Sequence, residues 1–184
     1  MKHFKVLAAF IILIITLFPF TACKTISDNS AKKKIFDKYS RCAGFACDVT
    51  VLDGKDNEIT TAYVEITGDD FSFEIKSPAV IKGIKFLQKD GDFSVRYYDL
   101  SVDLKFIPQS IKPLITVLPA AFINKDMALG SVINSTGTEY KISYEDPSRT
   151  LTLTLDRQTY ALIDTVISMD NKEYTLKFKD FNFM

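Results

Sequence analysis

Histidine is nearly missing from this 184-residue chain, and tryptophan is missing altogether. The one histidine, His3, sits in an apolar N-terminal segment, so the body of the protein has no imidazole. That excludes Ser-His-Asp and Cys-His catalysis there, and every zinc site that needs histidine. An excess of one charge is also lacking: 23 Lys and Arg stand against 23 Asp and Glu. With no basic surplus to neutralise phosphates, nucleic acid is not an expected partner. Cysteine is limited to Cys23, Cys42 and Cys47. Two thiols at 42 and 47 cannot complete a tetrahedral zinc site unaided, and their spacing is not Cys-x-x-Cys; neither metal nor cofactor is expected. The long uncharged run, Val6–Ala22, is short for a spanning helix, which needs roughly 20 residues.

What is present at the N-terminus is a positive start at Lys2 and Lys5, the apolar run, and small residues in Phe20-Thr21-Ala22-Cys23. These are the parts of an export signal. The cysteine at the cut resembles a bacterial lipoprotein signal. An ordinary secretory signal and an uncleaved anchor are the competing readings. The resemblance implies a signal over 1–22, a lipid such as palmitate on Cys23, a membrane tether over 23–30 and a domain over 31–184. It places the protein outside the cytoplasm, lipid-anchored to a cell membrane. Two or three acyl chains hold far more firmly than one, at about 0.8 kcal/mol per buried CH₂. In an exported chain, Cys42 and Cys47 are an even pair and are expected to form a disulfide, with two free thiols as the alternative.

The rest of the chain divides by period. Ala31–Cys42 predicts a helix capped by Ser30, with Ile35, Phe36 and Tyr39 on one side and Gly44 as its stop. Strands are then predicted over Phe45–Leu52, Glu58–Thr67, Phe71–Lys76, Lys82–Lys89, Phe93–Tyr98 and Ser101–Phe106, separated by Gly, Asp and Asn turns. Gln109–Phe122 returns to helical spacing, despite Pro113 and Pro119. Met127–Ile133 is a weak strand candidate. Glu139–Tyr144, Thr150–Leu155, Tyr160–Met169 and Tyr174–Phe183 follow as strands. Tyr160–Met169 is apolar enough to be covered on both faces.

Strands joined by short turns pair antiparallel. The expected fold is mainly β with helices (α+β). A large curved antiparallel sheet forms an unclosed half-barrel, with an N-terminal helix and a mid-chain helical lid. The order of features resembles the lipoprotein-carrier half-barrel superfamily, the LolA, LolB and LppX-like proteins, in their membrane-anchored Gram-positive branch. The residues that carry the likeness run from Phe71-Ser-Phe-Glu-Ile-Lys-Ser-Pro78 through Ile81–Phe86 to Asp90–Tyr97, with the closing Leu176–Phe183.

The resemblance implies an apolar cavity. Phe71, Phe73, Ile75, Ile84 and Phe86 are its expected wall on one side. Phe93, Val95 and Tyr97 continue it, and Leu114 and Leu118 come from the lid. The expected occupant is a lipid, an acyl chain or the lipid of another lipoprotein. Ordinary core packing is the competing reading of the same alternation. A second hypothesis is a tethered interaction module that regulates or localises a cell-envelope enzyme, using open sheet edges. Catalysis is not expected. The pairs Asp69-Asp70 and Asp90 with Asp92 fall in turns, where Asp serves the backbone. Asp99 with Asp103 stands without a nucleophile motif.

Overall fold

A computed structural model of the protein describes residues 28–90, 92–103, 112–124 and 127–184; the side chains of 103 and 112–115 are not described. Cys23 and residues 1–22 therefore lie outside the described residues, as does the side chain of Leu114.

Helix α1 runs Asn29–Arg41. Its cap is Asp28 rather than the expected Ser30: the carboxylate accepts the Ala31 N–H at 3.0 Å, relieving one orphan donor of the first turn. The helix buries Ala31 and Ile35. It ends because Cys42 is extended, and Gly44 opens the next strand instead of stopping the helix.

One sheet of eleven strands follows. These are β1 (Gly44–Asp53), β2 (Glu58–Thr67), β3 (Asp70–Ser77), β4 (Lys85–Lys89), β5 (Asp92–Tyr97) and β6 (Leu100–Asp103). After an insertion come β7 (Val132–Thr136), β8 (Glu139–Asp146), β9 (Arg149–Asp156), β10 (Leu162–Met169) and β11 (Lys172–Phe183). The order across the sheet is β6-β5-β4-β3-β2-β1-β11-β10-β9-β8-β7, antiparallel at each described pairing. Two meanders thus share the β1–β11 seam, and β6 and β7 are left as edges. This is an open half-barrel.

The hairpin turns are built by aspartates. Asp53 accepts from the backbone of Lys55 and Asn57, Asp146 from Ser148 and Arg149, and Asp156 from Gln158 and Thr159. The side-chain bonds from Asn57 to Asp53 and from Ser148 to Asp146, and the Thr159 backbone bond to Asp156, favour the charged form most, and with the other bonds hold all three carboxyls below their usual range.

The insertion holds α2 (Lys112–Ala120) and a single helical turn, α3 (Met127–Gly130). The helix expected over 109–122 ends at Ala120, two residues early; 109–111 lie outside the described residues. Met127–Ile133, expected as a strand, is α3 followed by the start of β7. The described part of the insertion between the edge strands β6 and β7 is fastened to the sheet. Thr165 Oγ1 donates to the Ala121 carbonyl at 3.0 Å, and Arg149 Nη1 to the Ala120 carbonyl at 3.4 Å. The Phe122 ring lies 5.1 Å from Phe45 and 5.3 Å from Phe178.

Strand β10 alternates between buried Leu162, Thr165 and Ile167 and more exposed neighbours. It has one covered face, not the two expected. Its apolar outer residues, Ile163 and Val166, are the ones that misled.

Candidate functional site

Register sorts the inner face of the β1–β6 arm into rows. Val95, Phe86, Phe73, Val64 and Cys47 stand opposite one another in turn. This row is core: Phe73 and Phe86 are buried, with rings stacked at 4.6 Å. The next row is Phe93, Gln88, Phe71, Ile66, Phe45 and Phe183. Its middle members, Gln88, Phe71, Ile66 and Phe45, floor a cleft of ≈ 700 Å³ at the mouth of the half-barrel.

The cleft is walled on one side by α1, through Phe36, Tyr39 and Ser40, and on the other by Pro119, Phe122 and Ile123 of the insertion. Its depth is apolar, with Phe45, Phe71 and Phe122 buried. Its rim is polar, with Asp37, Asp69 and Asp70. Gly44 lies where β1 enters the cleft, and a Cβ there would come within 2.0 Å of the Ile66 carbonyl oxygen. Only glycine allows β1 and β2 to approach so closely at this point.

Tyr39 locks the wall in place. Its hydroxyl donates to the Tyr160 carbonyl at 2.9 Å, and its ring meets Phe45 at 6.0 Å and Phe183 at 5.1 Å. Burial, then the nearby Cys42 and Cys47 thiols, hold the phenol well above its ordinary pKa.

Of the residues expected to line a cavity, Phe71 lines this cleft. Phe73, Ile75 and Phe86 are buried in the packed core. Ile84, Phe93 and Val95 pack against that core half-buried. Tyr97 lies outside it, 43% exposed, with its ring against Tyr98. Leu118, expected on a movable lid, is fully buried. The side chain of Leu114 is not among those described. Phe36, Phe45, Ile66 and Phe122 were not singled out as wall residues. Signals for three of them become visible only with the register in hand: the apolar stripe of α1 for Phe36, and the hairpin pairing that puts Phe45, Ile66 and Phe71 in line.

The expected Cys42–Cys47 disulfide is absent, and both thiols are free. Cys42 donates its S–H to the Tyr39 carbonyl at 3.1 Å. Cys42 thus stays at the helix end, while Cys47, on β1, stands opposite Val64, buried in the core. Cys47 is buried, which pushes its thiol up to about 12, with Asp48 adding to the shift. Among the described residues no group of three His, Cys, Asp or Glu could hold a metal ion.

No family model matches the chain, and no curated protein does. Solved structures do. A chain of the complex of the CwlD amidase from Clostridioides difficile with the GerS lipoprotein is 14% identical, over 85% of this chain and 96% of that one, at a TM-score of 0.50. An uncharacterized conserved protein from Thermus thermophilus is 13% identical over 83% and 86%, at 0.49. A LolA superfamily protein from Nitrosomonas europaea is 10% identical over 86% and 94%, at 0.40. At such identities the likeness is one of fold. This chain has an open half-barrel fold, similar to that of a chain in the amidase–lipoprotein complex.

Proposed function

We propose that this protein is an extracytoplasmic lipoprotein, held to a membrane by a lipid on Cys23, that binds a lipid, an acyl chain or another apolar ligand in the cleft. The supporting observation is the cleft itself. At ≈ 700 Å³ it falls within the roughly 300–1,000 Å³ of small-ligand sites, with an aromatic interior and a polar rim. The role is binding rather than catalysis. The anchor rests on the sequence from Lys2 to Cys23. The test is native mass spectrometry of the protein from its own host's membranes. A copurifying lipid that a Phe122→Asp variant no longer carries is the expected result. An intact protein that never carries or takes up an apolar ligand would overturn the reading.

A second reading, a tethered module that regulates or localises a cell-envelope enzyme, has its own observation. On edge strand β6, Leu100 and Val102 are exposed. The similar fold in the amidase–lipoprotein complex supports the same idea. Under this reading Leu100→Asp, which leaves the cleft alone, abolishes cross-linking to an envelope hydrolase in cells. Unchanged cross-linking in that variant would reject it.

A further inference from the structure

The charge of the cleft is one-sided, and so is its aromatic character. Five rings line it: Phe36, Tyr39, Phe45, Phe71 and Phe122. Three carboxylates stand with them, Asp37 from α1, Asp69 from the β2–β3 turn and Asp70 at the start of β3, and among the described residues no Lys or Arg lines the cleft. None of the three carboxylates takes part in the two ion pairs found among the described residues, which are Lys76–Asp48 and Arg149–Asp146.

We infer that the cleft selects an amphiphile whose head carries a cationic amine or quaternary ammonium, and disfavours fatty carboxylates and anionic phospholipids. The inference rests on the cleft being a ligand site, and adds which head it takes. Two independent features favour a cation there. Ring faces carry negative quadrupole and attract alkylammonium groups. The carboxylates contribute from two elements, Asp37 and Asp70 half-buried and Asp69 exposed, so a head entering at the rim meets negative charge from α1 and from the hairpin turn. A carboxylate or phosphate head would meet three like charges with no base among the described lining residues to offset them. The alkyl chain behind the head would lie on Phe45, Phe71 and Phe122.

The test is calorimetric titration of the detergent-free full chain with three probes of equal tail, each below its micelle concentration: decyltrimethylammonium, decanol and decanoate. The expected order is ammonium, then alcohol, then carboxylate. The ammonium should lead the carboxylate by roughly tenfold at low salt, a gap that narrows as salt screens the rim. The triple variant Asp37→Asn, Asp69→Asn, Asp70→Asn should close most of the gap while keeping the affinity for decanol. Should the triple variant misfold by circular dichroism, Asp69→Asn alone, at an exposed turn position, should narrow the gap. Equal binding of all three probes, or a gap that survives neutralisation of the rim, overturns the head selectivity and leaves the cleft as a binder of apolar chains. Binding of none overturns both.

Discussion

The two arms of the sheet carry the same sequence pattern and meet opposite fates. On β9, Leu151, Leu153 and Leu155 alternate with threonines, and all three leucines are buried. On β5 and β6, Tyr97, Leu100 and Val102 also alternate with polar residues, yet they are 43%, 71% and 59% exposed. The difference is cover. The described insertion residues are bonded to β9 and β10, through Arg149 and Thr165, and α1 is tied to β7, where Asp28 N–H donates to the Ile133 carbonyl at 3.1 Å and Lys32 Nζ to the Ser131 carbonyl at 2.7 Å. Both covers lean toward the β7–β11 arm. Alternation specifies that a strand has an apolar face; it does not specify that anything lies on it.

Mutation should show the contrast most plainly. Leu153→Ala removes a fully buried side chain and is expected to cost about 2–5 kcal/mol. Leu100→Ala, the same chemistry on the other arm, should stay within about 0.5 kcal/mol. Urea unfolding of both variants measures the gap. Equal costs would mean that β6 is covered in solution and would erase the comparison. Leu118→Asp belongs with the severe group, because its side chain is fully buried rather than seated on a loose lid.

Gly44→Ala should come next, at about 1–3 kcal/mol, because the new Cβ meets backbone rather than a movable side chain. The loss should be accompanied by weaker ligand uptake, since β1 and β2 must part at the cleft floor. Uptake unchanged at equal stability would separate the cleft from this close approach.

The sheet was legible in the sequence and its cover was not. Glu58–Thr67 is bounded as predicted, because Asp and Gly turns flank it on both sides. Met127–Ile133 was misread because four residues of α3 are too few to show a helical period. The cleft was legible only through Phe71. Its other walls come from α1 and from 119–124, segments distant in sequence, and no local period reports which row of a sheet a helix leaves open. The thiols misled for a related reason. Even count and short spacing favoured a bond, but the start of β1 at Gly44 carries Cys47 into the core.

Those buried groups make a directional prediction about pH. The Cys47 thiol rises from 9.0 to about 12 on folding, chiefly through burial, and the Tyr39 phenol rises as well. Above pH 9 the unfolded chain releases a proton that the folded chain keeps. This contribution to stability is therefore fully present below pH 9 and is lost as pH climbs toward 12. Denaturation midpoints should fall across that window, and Cys47→Ala should flatten the fall even though it lowers the neutral-pH baseline. Alkylation of the native protein at neutral pH should label Cys42 far faster than Cys47, with both reacting in denaturant. Equal rates in the native state would contradict the burial of Cys47.

The smallest effect concerns the fastening that gives one arm its cover. Thr165 is fully buried, and its hydroxyl donates to the Ala121 carbonyl across the inner face of β10. Thr165→Val keeps the β-branched shape that suits a strand and removes only the donor. The lost bond, with a carbonyl left short of a partner, should cost about 1 kcal/mol. The telling measurement is where that cost appears. If the insertion is held to the sheet chiefly at this point and through Arg149, hydrogen exchange at residues 117–123 should quicken while exchange along β10 and β11 stays as it was. Uniform quickening over the whole sheet would instead mean that the insertion and the β7–β11 arm unfold as one unit, and that the cover is part of the core rather than something laid upon it.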